Sequence, residues 1–255
     1  MKSTVALSAY ERKARLTPGM LGIAPVTITL VALGLKAYPA VPVALGVLSV
    51  TVGGYALSVL VGNAGRRAQD RMYERWGGRP TTQLLRTRDE SSNPRQRDIW
   101  RQAIEEVTGV QLLSKRREAA NSVAADHAIE AATDQVRYLG QDPRFPMVAN
   151  ENAAYGFERN MWGFRWVGRY VALVCLAVIG LTCLLARYTS FHVSAGAAIS
   201  GAVINVMILT GWCLFPSEER AKEAGFRYAR QLLHAVTQVS RTESSSATEE
   251  TQEDS

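Results

Sequence analysis

The sequence predicts an all-α fold, that of a polytopic membrane protein with four transmembrane helices in two hairpins and a helical cytosolic insert between them. Three observations predict it. Residues 37–65 are 29 in succession without an Asp, Glu, Lys, Arg or His, and about 20 residues at roughly 1.5 Å each suffice to cross a hydrocarbon core about 30 Å thick. Other apolar runs pair up around it, residues 16–35 before it and residues 170–186 with 188–217 late in the chain. The polar residues between the two pairs carry helical spacings and no period-two alternation.

The mean hydropathy of −0.05 hides the apolar runs, because long polar segments dilute them. Arg outnumbers Lys by 24 to 5, which with abundant Ala and Val is the usage of a GC-rich, bacterial genome. The net charge of +6 is spread unevenly: +3 in residues 1–19, 17 basic against 14 acidic in 63–165, and 5 against 8 from Ser217 onward. This distribution suits anionic lipid headgroups better than a nucleic-acid platform, which gathers its charge on one face. Cys175, Cys183 and Cys213 all fall in apolar runs and imply no disulfide framework. His127, His192 and His234 lie far apart and no Cys-x-x-Cys occurs, so no metal site is expected, nor a cofactor.

From the N-terminus, Ser8 and Glu11 have capping-box spacing and start a short basic helix. Thr17-Pro18-Gly19 interrupts it before the first span. A signal peptide is the alternative for residues 16–35; the run is long for such a core, no convincing small-x-small site follows, and Lys36 stands where cleavage would fall. Residues 36–42, with Pro39 and Pro42, turn the chain into the second span. Lys and Arg cluster before span one, after span two (Arg66, Arg67, Arg71, Arg75), before span three (Arg159, Arg165) and after span four (Arg220, Lys222, Arg227). The hairpin tips carry only Lys36 and Arg187. Basic flanks stay in the cytosol, so both termini and the insert are expected there, in a bacterial inner membrane.

Within the insert, Ala64, Ala68, Met72 and Trp76 mark a helix that Gly77-Gly78 ends. Trp100, Ala103, Ile104 and Val107 mark a second, begun at Asn93-Pro94 and ended at Gly109. Ala125, Ile129, Ala132, Val136 and Leu139 mark a third, closed by Gly140. A fourth starts near Val148 and runs into span three, carrying the aromatic residues of an interfacial belt. After Pro216 a helix presents Ala221, Gly225, Tyr228, Leu232, Ala235 and Val239 on one face. The expected divisions are an arm (1–19), a hairpin (20–62), a cytosolic helical domain (63–165), a second hairpin (166–216), a C-terminal helix (217–240) and an acidic tail (241–255) whose composition predicts disorder.

Three stretches are candidates for function. Residues 76–86 (WGGRPTTQLLR) offer glycine amides, two hydroxyls (Thr81, Thr82) and two guanidinium groups (Arg79, Arg86) to an anion, although they lack the spacing and Lys of a phosphate-binding loop; a helix end with a turn is the plainer reading. Residues 150–160 place Glu151, Asn152, Tyr155, Glu158 and Arg159 beside the membrane, as buried polar contacts or as acid–base groups. Ala197, Gly201 and Asn205, at spacings of four, form a small-residue packing face in span four. The absence of a mid-membrane Asp, Glu, Lys or Arg argues against an ion-coupled transporter.

The functional expectation is a non-enzymatic membrane sensor, scaffold or effector that forms a homo-oligomer in the lipid bilayer and binds no nucleic acid. The alternatives are a membrane-bound enzyme on a phosphorylated or lipid ligand, with Glu151 or Glu158 as base, and a small channel lined by span four.

Overall fold

The computed structural model describes residues 9–34, 52–89, 93–189 and 193–253, and all its regular elements there are helical. Helix α1 is continuous through Ala9–Glu11, a π-helical stretch Arg12–Leu16 and Thr17–Ala32. It is followed by α2 (Val52–Trp76), α3 (Pro80–Leu85), α4 (Pro94–Thr108), α5 (Lys115–Ala120), α6 (Ser122–Gln135) with a 3₁₀ turn Val136–Gly140, α7 (Pro146–Leu185), α8 (Ala195–Leu214) and α9 (Glu218–Glu253). Ser8, the 36–42 turn, the part of the second apolar run before Val52, and His192 lie outside the described residues.

Three of these helices are long and apolar enough to cross a membrane: Arg12–Ala32, Pro146–Leu185 and Ala195–Leu214. They leave large apolar side chains uncovered, among them Met20 and Val31 on α1, Val174 and Leu181 on α7, and Ile199 and Met207 on α8. Such faces are unfavourable in water and favourable in lipid.

The chain divides into two units, Met1–Asp70 with Gly156–Ala221, and Arg71–Tyr155 with Lys222–Ser255. In the first, α8 packs on α1 and the backbones approach closely. A Cβ on Gly201 would lie 2.4 Å from the Cβ of Ala32, and one on Gly163 would lie 2.6 Å from the carbonyl oxygen of Ala64. Val61, Met161, Phe164 and Trp212 fill the space between the helices.

The second unit has its own apolar core. Leu84 and Leu85 of α3, Trp100 and Ile104 of α4, Ile129 of α6, Leu139, Val148 at the start of α7, and Leu232, Leu233 and Val236 of α9 are buried together. Local chemistry sets the helix ends. The Asn93 side chain accepts the amide of Arg95, Pro94 occupies the first turn, and Gly109 closes α4 at φ 70°. The Asn121 side chain accepts the amide of Ala124 at the start of α6, 3.0 Å. Gly77 and Gly78, at φ 79° and 126°, end α2.

Helix α9 extends to Glu253, past Arg241 where composition predicts disorder. Its apolar face is also broader than the spacing of four suggests, since Ala224, Ala229, Leu233 and Val236 are buried beside Leu232 and Ala235.

Candidate functional site

The glycine-rich turn after α2 is fastened to α3. Gln83 Nε2 donates to the carbonyls of Trp76 and Gly78 at 2.8 and 2.9 Å, and an Arg86 terminal nitrogen donates to the carbonyl of Gly77 at 2.7 Å. Arg86 then grips Asp126 of α6 with two nitrogens, 2.9 and 2.7 Å, and reaches Asp89 at 3.2 Å. Arg88 bonds both oxygens of Asp126 at 2.8 Å and one oxygen of Glu118 at 3.2 Å. Arg79 pairs with Asp134 at 2.9 Å and Glu130 at 3.6 Å. Arg97 and Arg101 complete the cluster through backbone carbonyls, Arg97 to those of Arg86 and Asp89, and Arg101 to those of Leu85 and Leu113.

Glu118, on the six-residue helix α5, is the most enclosed member, with a side chain only 1% exposed. Its oxygens accept the Thr87 amide (3.0 and 3.1 Å), the Thr87 hydroxyl (2.8 Å) and the Arg88 amide (3.3 Å), with Arg101 at 3.8 Å. Burial pushes this carboxyl toward protonation, but the Thr87 hydroxyl, the two amides and Arg101 together hold it below the ordinary carboxylate value. Asp126 is lowered in the same way, burial being outweighed by hydrogen bonds from Arg86 and Arg88. Burial lowers Arg101 against the pull of Glu118, whereas in Arg86 the Asp126 contacts overcome burial and raise it.

The anion candidates therefore sit as follows. Arg79 and Arg86 are each matched by carboxylates of the same unit, Thr81 is half-buried, and Thr82 is fully buried with its hydroxyl oxygen unbonded. This cluster holds the 86–89 segment to α4, α5 and α6.

The candidates of the 150–160 stretch fall in both units. Glu151 pairs with Arg227 at 3.2 Å, Asn152 lies beside Gly140, and Tyr155 shares a 2.9 Å hydroxyl–hydroxyl bond with Tyr73 and stacks on Tyr228. Glu158 is half-buried, and Arg159 donates to Gln69 at 2.5 Å. On α8, Ala197 is half-buried, while Gly201 and Asn205 are buried against α1, where Asn205 Nδ2 donates to Thr29 Oγ1 at 3.1 Å and to the Gly201 carbonyl at 3.0 Å.

A second set of polar contacts repairs the helices where proline breaks them. Proline has no N–H and leaves the carbonyl four residues earlier without its helical donor. Pro18 does this to Ala14, and Asn160 Nδ2 donates there at 2.6 Å; the π-helical stretch, in which the Thr17 amide reaches back to Arg12, lies at the same place. Pro25 does it to Leu21, whose carbonyl accepts Trp212 Nε1 at 3.4 Å. Pro216 does it to Trp212, whose carbonyl accepts Arg169 Nε at 3.1 Å. Asn160, Arg169 and Trp212 thus hold α1, α7 and α8 together. The prolines signal the three vacated carbonyls in the sequence, but nothing local names the donors.

Among the described residues no group of three His, Cys, Asp or Glu could hold a metal ion. A shallow groove of about 560 Å³ runs between α4 and α9, lined by Ile99, Gln102, Glu106, Thr237, Ser240 and Arg241. In it Glu106 accepts Ser240 and Gln102, which lower its pKa in that order of strength. Compared with known proteins, the chain matches no family model, no curated protein and no solved structure.

Proposed function

We propose that this chain is a bacterial inner-membrane protein with four spans, whose second unit lies in the cytosol and serves as a non-enzymatic sensor, scaffold or effector acting through homo-oligomer contacts. The observation that carries the reading is the arginine–carboxylate network. Arg79, Arg86, Arg88 and Arg101 face carboxylates of their own unit. Charges so matched bind segments to one another and add little attraction for a substrate phosphate. The three apolar helices, the uncharged run 37–65 and the basic flanks support the four-span arrangement. The chain passes between the units three times, each time within a helix (α2, α7 and α9).

Single cysteines at Arg117 and Tyr188, in a background lacking Cys175, Cys183 and Cys213, test the topology with an impermeant thiol reagent. Labelling of the Tyr188 variant in intact cells, and of the Arg117 variant only after permeabilisation, is the expected result; the reverse pattern refutes it. The mass of the detergent-solubilised protein tests the assembly, and a monomer at working concentration removes the oligomer from the proposal.

A further inference from the structure

In the second unit Arg79, Arg86, Arg88, Arg101, Arg144 and Arg227 all stand against carboxylates. The stretch that carries Arg169 on α7 contains no Asp or Glu from Arg159 to Ser217. Two contacts hold Arg169 there, and among the described residues neither uses its terminal nitrogens. Nε donates to the Trp212 carbonyl at 3.1 Å, and the guanidinium lies over the Trp166 ring, 4.7 Å from its centroid. Among the described residues it has no carboxylate partner. Arg165 stacks over Trp162 at 3.5 Å on the preceding turn, and Trp166 and Tyr170 are exposed.

A fixed guanidinium next to an exposed indole is complementary to a phospholipid phosphate. The planar fork takes two phosphate oxygens, and the ring rests among headgroups and upper acyl chain. Anionic lipids also enrich the cytosolic surface in negative charge. We infer that Trp166 and Arg169 form a binding site for the phosphate of an anionic phospholipid in the cytosolic leaflet. The inference rests on the membrane reading proposed above.

The test uses the full chain, purified in detergent, with phosphatidylglycerol, phosphatidylcholine or inorganic phosphate added and bound lipid counted by intact-complex mass spectrometry. Phosphatidylglycerol is expected to bind in preference to phosphatidylcholine. Arg169→Gln should weaken it about fivefold, the equivalent of about 1 kcal/mol for one arginine at an anionic surface. Trp166→Leu keeps the bond to the Trp212 carbonyl and should weaken lipid binding less, so it decides the matter if Arg169→Gln loses helix content. Arg144→Gln should change nothing. Equal binding of the two lipids, unchanged binding by folded Arg169→Gln (or by Trp166→Leu where Arg169→Gln does not fold), or displacement of phosphatidylglycerol by equimolar phosphate would each overturn the inference. A chain that stays in solution without detergent defeats the membrane reading before any lipid is added; a detergent-requiring chain indifferent to phosphatidylglycerol defeats only the lipid site.

Discussion

Replacing Glu118 by Ala is the sharpest perturbation of the second unit. The carboxylate is almost fully enclosed and receives two backbone amides, one hydroxyl and one Arg88 nitrogen within 3.3 Å. Its loss leaves Arg101 facing an empty, enclosed space and frees the Thr87 and Arg88 amides from their acceptor. Removing one member of a buried ion pair costs about 3 to 5 kcal/mol, because the remaining charge is left without compensation. For a chain of this size that corresponds to a fall in melting temperature of roughly 6 to 20 °C. Thermal unfolding of the full chain in detergent, followed by circular dichroism, measures it. Asp142→Ala, at the exposed Arg144 pair, is the matched control and should be nearly silent. If Glu118→Ala melts with the wild type, the network is incidental to the fold and does not hold the second unit together.

Acid should act on the same cluster. Glu118 and Asp126 release their protons more readily folded than unfolded, so the stability they add is present above their ordinary values of 4.5 and 3.8 and is lost as pH falls through the lower folded ones. Melting temperature measured against pH should fall through this range, and the fall should flatten in a Glu118→Gln, Asp126→Asn double variant. Gly163→Ala places a methyl group against the Ala64 carbonyl and should cost about 1 to 3 kcal/mol or more, whereas Gly180→Ala meets nothing within 4 Å and should be tolerated; elution profiles and melts of the two variants compare them directly. Asn160→Ala should cost about 1 kcal/mol by depriving the Ala14 carbonyl of its donor. In a Pro18→Ala background, where a backbone amide returns, that cost should shrink, and equal costs in both backgrounds would refute the repair.

The helical elements were readable where local chemistry dictates them. Asn93-Pro94 and Gly109 bracket α4 because capping and the left-handed conformation are properties of single residues. The continuity of α7 from Pro146 into its apolar half follows from the lack of any breaker between them. The short helices α3 and α5 were not legible, since six residues carry too few turns for a periodic signal. Arg79 and Arg86 stood out as cations, but Asp134 and Asp126 lie 55 and 40 residues further on. A pairing across that distance is decided by how the helices pack, and no local spacing encodes it. The same holds for Asn160, whose partner precedes it by 146 residues.

That last separation has a consequence for how the chain is made. A ribosome adds about 5 to 20 residues per second, so Asn160 emerges roughly 7 to 30 s after Ala14 across the 146 intervening positions. Throughout that interval the first helix carries an acceptor with no donor, a group that hydrocarbon penalises and headgroup water does not. In the membrane arrangement proposed above, the foot of the first helix would therefore wait at the wet surface of the bilayer until the later helix is synthesised, and only then settle.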